Sequence, residues 1–148
     1  MDGERKDLPM KVLYTAKVHV TGGRDGRATA DDGRLDVELA LPAALGGQGN
    51  GTNPEQLFAA GYAGCFLASI RFAAGQMKLE TGDVQADATI LLGPHDDGRF
   101  GLKARIEVEV PRLAGEDLDR VIAEAKRICA YTNATRGNVE TTFVVNGR

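Results

Sequence analysis

The sequence predicts an α+β fold in two layers, an antiparallel sheet covered by two helices in the order βββ-α-ββ-α-β. Three observations predict it. β-Formers alternate with polar residues from Lys11 to Leu41, interrupted by glycine turns. One uninterrupted apolar stretch runs from Asn53 to Gln76. A strictly alternating segment, Phe100 to Val110, is followed by a helical stripe. At 148 residues the chain reads as one domain spanning 1–148, long enough for a proper core, with residues 1–10 a loose polar start.

The first strand is expected over Lys11–Val20, where Val12, Tyr14, Ala16, Val18 and Val20 occupy every second position. Thr21-Gly22-Gly23-Arg24-Asp25-Gly26 is a glycine turn leading to a short strand near Arg27–Ala30. Asp31-Asp32-Gly33 turns the chain again, and Arg34–Leu41 alternates through Leu35, Val37, Leu39 and Leu41. Pro42 stops that strand, and Gly46, Gly47, Gly49 and Gly51 make a glycine-rich connection. Such a loop before a helix can cradle a phosphate. Here no Lys-Ser/Thr follows, and the strand before it belongs to a meander, so a flexible connection is the reading.

Asn53 is suited to an N-cap, Pro54 to the first helical position, and Glu55 to the positive end of the helix dipole. From Leu57 to Ile70 every face is apolar or small, the pattern of a buried central helix. That run is too short to span a bilayer, and Arg71 closes it. Next come strands over Val84–Leu92 and Phe100–Val110, joined by Pro94-His95-Asp96-Asp97-Gly98 as a hairpin. A second helix is expected over Gly115–Tyr131, with Leu118, Val121, Ile122, Ala125 and Ile128 as its stripe and Cys129 in its last turn. Thr132–Gly137 reads as irregular, and Val139–Val145 as a closing strand.

A net charge of −3 supplies no basic footprint for nucleic acid. Met1–Met10 is charged and lacks the apolar segment of a signal peptide, which points to the cytoplasm. There, two cysteines do not read as a structural disulfide; they are inert core residues or they do redox chemistry. A single cysteine is ordinarily a small buried hydrophobe. Cys129, however, lies at a helix end where its sulfur can be reached, and Cys65 lies deep in the central helix. Arg24 sits in a glycine turn that presents its side chain, although a solvated turn arginine is the ordinary reading. His19, Cys65, His95 and Cys129 lack the paired spacing of a zinc site, so no metal and no bound cofactor are expected.

Three blocks carry a resemblance: Thr21–Gly26; Gly51-Thr52-Asn53-Pro54-Glu55-Gln56-Leu57-Phe58-Ala59-Ala60-Gly61-Tyr62 through Cys65-Phe66; and Cys129-Ala130-Tyr131-Thr132-Asn133-Ala134-Thr135-Arg136-Gly137-Asn138. Together they resemble the organic hydroperoxide resistance (Ohr) branch of the OsmC-like family, collinearly from about Lys11 to the end. The family usually has Cys-Pro-Tyr-Ser where this chain has Cys129-Ala130-Tyr131-Thr132, and often a histidine at the position of Arg127. The resemblance implies an intertwined homodimer and a thiol peroxidase that reduces organic hydroperoxides to alcohols. It implies Cys65 as the peroxidatic thiol and Cys129 as the resolving one, forming a disulfide. Arg24 and Glu55 would pair beside Cys65, and a dihydrolipoyl-type dithiol, free or on a lipoylated protein, would recycle the enzyme.

The chemistry suits these residue types. Lowering a thiol pKa by roughly two units raises the thiolate fraction about tenfold at neutral pH, but a Brønsted slope of about 0.4–0.5 cancels most of that gain. Arg24 orienting the peroxide and stabilising charge on its oxygens is therefore the larger expected effect. Phe58, Phe66 and Phe72 are expected to form apolar walls that favour a greasy peroxide. Alternative readings are an OsmC-type general peroxidase, a redox sensor without turnover, and an apolar small-ligand carrier with passive cysteines.

Overall fold

The computed structural model describes residues 8–148. Residues 1–7 of the expected loose start lie outside the described residues, and residues 8–17 carry no regular structure. The chain divides into two compact units, Met1–Thr52 and Asn53–Arg148.

In the N-terminal unit, β1 (Val18–Thr21), β2 (Arg27–Ala30) and β3 (Asp36–Glu38) form an antiparallel sheet in the order β1-β2-β3. Between β1 and β2 the single 3₁₀ turn Gly23–Asp25 is entered through Gly22 at φ 69° and Gly23 at φ 71°, conformations that favour glycine. A Cβ on Gly26 would run into the Thr21 carbonyl, so the turn closes only on glycine there. Two strands are shorter than their alternation suggests. β1 begins at Val18 because the residues before it join no ladder, and Leu8, Met10, Val12, Leu13 and Tyr14 are exposed. β3 ends at Glu38 because the next residues meet the returning chain instead, through a parallel bridge of Leu39 with Thr52. The glycine-rich connection is wound back on itself: Gly47 N–H donates to Pro42 O and Gly49 N–H to Leu41 O.

The C-terminal unit begins with α1 (Pro54–Gln76), whose N-cap Asn53 accepts from the Gln56 N–H at 2.9 Å. β4 (Gln85–Pro94) and β5 (Phe100–Glu109) form the expected hairpin, and β6 (Glu140–Val145) completes a second sheet ordered β4-β5-β6. β6 runs parallel to β5, with Ile106 opposite Phe143. The strands therefore make two three-stranded sheets, the second one mixed and not purely antiparallel. The cause is the helical crossover between β5 and β6, which returns the chain in the direction of β5.

α2 (Gly115–Ile128) buries Leu118, Val121, Ile122 and Ala125, the expected stripe. It does not continue to Tyr131. The backbone at Cys129 turns extended, at φ −63° and ψ 120°, and a separate short helix α3 (Ala130–Thr135) follows, where an irregular segment was expected. Tyr62, Phe66 and Ile70 of α1, Ile106, Val108 and Val110 around β5, Val121 and Cys129 are the largest fully buried side chains. α1 is not covered all round within one chain: Ala60, Gly64, Ala68 and Phe72 are exposed. At 23 residues α1 is long and apolar enough to cross a membrane by length and composition, contrary to the shorter apolar run read from sequence. Here its Tyr62, Phe66 and Ile70 face is core.

Candidate functional site

Cys65 projects from the middle of α1, and Cys129 occupies the break between α2 and α3. Their sulfurs lie 3.4 Å apart, and both are free thiols. Cys65 is partly exposed, whereas Cys129 is completely buried. A bonded pair would sit at about 2.05 Å, so closing this one needs a shift of only about 1.4 Å.

The position of Cys129 follows from how the α2–α3 corner is tied. Carbonyls in the last turn of a helix lack intrahelical donors. Those of Lys126 and Arg127 accept from the Arg136 Nη2 (2.9 Å) and the Asn133 Nδ2 (3.1 Å) of the segment beyond the break. Cys129 N–H still donates to Ala125 O, and Asn133 N–H already donates to Cys129 O, both at 2.9 Å, so Cys129 belongs to both helices. Across the gap, Tyr62 Oη lies 3.2 Å from Thr135 Oγ1 and 3.5 Å from Thr132 Oγ1.

Burial is the largest influence on both thiols and pushes each upward. At Cys129 it is outweighed by the Thr132 hydroxyl, the N–H groups of Thr132 and Tyr131, and the Cys65 thiol, leaving Cys129 below its ordinary value. At Cys65 the N–H groups of Tyr131 and Ala130 oppose burial, but the neighbouring Cys129 adds to it, and the thiol stays above its ordinary value. Two sulfurs at this distance do not both ionise freely, so the pair loses its protons in two separated steps.

Phe58, Tyr62 and Tyr131 form an aromatic cluster, with ring centroids 5.9 to 6.3 Å apart. Gly61 makes room for it, since a Cβ there would lie 2.9 Å from the Tyr131 hydroxyl. The apolar walls expected from sequence are thus corrected. Phe66 is fully buried with its ring 4.9 Å from that of Phe143, and Phe72 is 60% exposed, seven residues along the helix from Cys65. Of the three phenylalanines, Phe58 packs against Tyr131, whose N–H reaches both sulfurs.

The other two expected residues lie in other elements, Arg24 in the N-terminal unit and Glu55 at the start of α1. Arg24 is half-buried in the β1–β2 turn of the N-terminal unit. Glu55 is half-buried in the first turn of α1, which is continuous to Cys65, so the ten intervening steps separate them by about 15 Å. Sequence reasoning missed Tyr62, Thr132, Asn133, Thr135 and Arg136. For Thr132, Asn133, Thr135 and Arg136 the signal was the polar run after Cys129, whose hydroxyl, amide and guanidinium groups are the types that tie helix ends; Tyr62 had none. Among the described residues no cluster of three His, Cys, Asp or Glu is placed to hold a metal.

Comparison with known proteins finds an OsmC-like protein family model matching residues 47–144. An organic hydroperoxide resistance protein of Xanthomonas axonopodis pv. citri is 45% identical over 139 residues, covering 93% of this chain and 97% of that protein. Among solved structures, the organic hydroperoxide resistance protein OsmC of Legionella pneumophila superposes with a TM-score of 0.86 at 39% identity, covering 91% of this chain and 98% of that one. The organic hydroperoxide resistance protein OhrB of Bacillus subtilis does so with a TM-score of 0.81 at 39% identity, covering 90% and 99%. Matched over most of its length in sequence and in fold, the chain belongs to the OsmC-like family.

Proposed function

We propose that this chain is a cysteine-based peroxidase that reduces organic hydroperoxides to alcohols. The observation that carries the reading is the pair of free thiols 3.4 Å apart, one partly exposed and one buried. The names of its relatives support the substrate class. The sulfur of Cys65, as thiolate, attacks the distal peroxide oxygen; the O–O bond breaks, the alcohol leaves after taking a proton, and Cys65 becomes a sulfenic acid. Cys129 then attacks that sulfur, the S–O bond breaks, water leaves, and a disulfide remains. A dihydrolipoyl-type dithiol, free or on a lipoylated protein, returns both thiols by exchange, and the cytoplasm is the compartment that supplies it.

Exposure supports the roles that the resemblance implies: the peroxide reaches partly exposed Cys65 first, and buried Cys129 is protected until it is needed. The lowered pKa of Cys129 suits a resolving nucleophile, because its thiolate is ready when the sulfenic acid forms. Cys65, raised by burial, needs a cation when it reacts, and the resemblance names Arg24 for this, held by Glu55 through charge-assisted bonds. With Glu55 about 15 Å along α1 from its own Cys65, the glutamate of each site comes from the second subunit of a homodimer. The exposed stripe Ala60, Gly64, Ala68 and Phe72 of α1 gives such a dimer a face to cover.

Steady-state turnover of an alkyl hydroperoxide with dihydrolipoamide tests the reading. Sustained alcohol production, lost in both Cys65→Ser and Cys129→Ser, is the expected result. Thiol oxidation that stops after one event despite excess dithiol identifies a sensor, and no oxidation identifies a carrier.

A further inference from the structure

Two rungs join α1 to α3. One is the sulfur pair, Cys65 with Cys129. The other lies three residues from each cysteine, where Tyr62 Oη meets Thr132 Oγ1 at 3.5 Å. A spacing of three places neighbours on one helix face, so both rungs sit on the facing sides of the two helices. The second rung is deeply buried, with Tyr62 0% exposed, Thr132 7% and Thr135 6%.

Counting protons assigns the direction of each bond. A hydroxyl has one proton to give. That of Thr135 goes to the Tyr131 carbonyl at 2.8 Å, so at 3.2 Å the Tyr62 hydroxyl donates to Thr135 Oγ1. The Thr132 proton then has the Tyr62 oxygen as an acceptor at 3.5 Å, and three residues before Thr132, on the same helix face, stands Cys129 at the N-cap of α3. We propose that Thr132, braced by Tyr62, is a positioning residue for disulfide formation: its hydroxyl bonds the Cys129 thiolate while that sulfur is charged, and turns to Tyr62 Oη once the charge is gone. The Thr132 hydroxyl is among the groups that hold Cys129 below its ordinary pKa, which agrees with this arrangement.

The inference rests on the peroxidase reading above and deepens its second step. There Cys129 S⁻ attacks the sulfur of Cys65 S–OH; the S–S bond forms, the S–O bond breaks, and hydroxide leaves and is protonated by solvent at the partly exposed Cys65. Loss of the negative charge from Cys129 is the event that frees the Thr132 proton. Because Thr132 already has a second partner, no buried hydroxyl is stranded when the disulfide closes.

The test separates the two chemical steps in a single turnover with one equivalent of cumene hydroperoxide. Peroxide loss reports the first step, and rapid quenching with an alkylating agent, read by mass spectrometry, reports the disulfide. Thr132→Val is expected to slow disulfide formation about tenfold, the worth of a hydrogen bond to a charged sulfur, with peroxide loss within about twofold of the unsubstituted protein. Thr132→Ser restores the rate, and Tyr62→Phe, which keeps the ring in the core, slows the disulfide step by a smaller factor. A Thr132→Val protein that closes its disulfide at the unsubstituted rate overturns the proposal, as does equal slowing of both steps or a serine variant as slow as the valine one. Should Thr132→Val fail to fold, Tyr62→Phe decides: a slowed disulfide step supports the proposal, and an unchanged one overturns it. If the unsubstituted protein consumes no hydroperoxide at all, the peroxidase reading itself fails, and this inference with it.

Discussion

The sulfur of Cys129 lies 3.4 Å from that of Cys65 although 64 residues separate them, and neither belongs to a disulfide. What sets this contact is the break after α2, because a straight helix to Tyr131 would place no extended residue at Cys129.

The two cysteines are expected to be unequal. Cys65→Ser abolishes peroxide reduction. Cys129→Ser permits one oxidation and then stalls, and with excess peroxide Cys65 climbs to sulfinic acid. Intact mass spectrometry of the two treated variants checks this; activity retained in Cys65→Ser and lost in Cys129→Ser would reverse the roles.

The pH dependence of disulfide formation follows from Cys129. Thiolate fraction rises with pH, and a lowered pKa moves that rise to lower pH. The inflection of the disulfide step is therefore expected below about pH 8.5, the ordinary cysteine value, and the rate falls as acid protonates Cys129. Rapid-quench rates between about pH 5 and about pH 9 check the position of the inflection. An inflection above the ordinary cysteine value contradicts it.

Ala130 stands where the family usually has proline, and the backbone is ready for one. Cys129, at φ −63° and ψ 120°, has the extended conformation a residue before proline prefers, and Ala130 is the first residue of α3. Proline would fit but remove an N–H that favours the Cys65 thiolate. Ala130→Pro is expected to fold and to raise the Cys65 pKa further, seen as a shift to higher pH of Cys65 alkylation in a Cys129→Ser background.

Glu55 supplies a test of assembly. A Cys65→Ser chain and a Glu55→Ala chain, each nearly inactive alone, are co-refolded, so that each heterodimer holds one site with both defects and one with neither. Activity approaching one intact site per heterodimer is expected, with sedimentation near twice the 15.7 kDa chain mass. Heterodimers without recovered activity would place Glu55 within its own chain's site, against the continuous α1.

Much of this was legible in the sequence where local chemistry decides the structure. Asn53-Pro54 marked the start of α1 correctly, and the period of Leu118, Val121, Ile122 and Ala125 found the buried face of α2. Alternation overstated β1 and β3, because it registers which side chains suit a strand and not whether a neighbour is there to pair. The direction of β6 depends on the crossover that precedes it, which no residue of β6 encodes. At the site, the thiols could be named from the sequence, whereas the hydroxyl rung of Tyr62 and Thr132 could not. It exists only once α3 is recognised as a helix of its own, and its partners are 70 residues apart.

The measurement that bears most directly on the account is anaerobic thiol counting with product analysis. The reduced protein is mixed with one equivalent per chain of an alkyl hydroperoxide, and free thiols and alcohol are quantified together. The account predicts the loss of both thiols per chain, one alcohol per chain, and a tryptic fragment joining Cys65 to Cys129. Both thiols remaining while the hydroperoxide is recovered unchanged would contradict it.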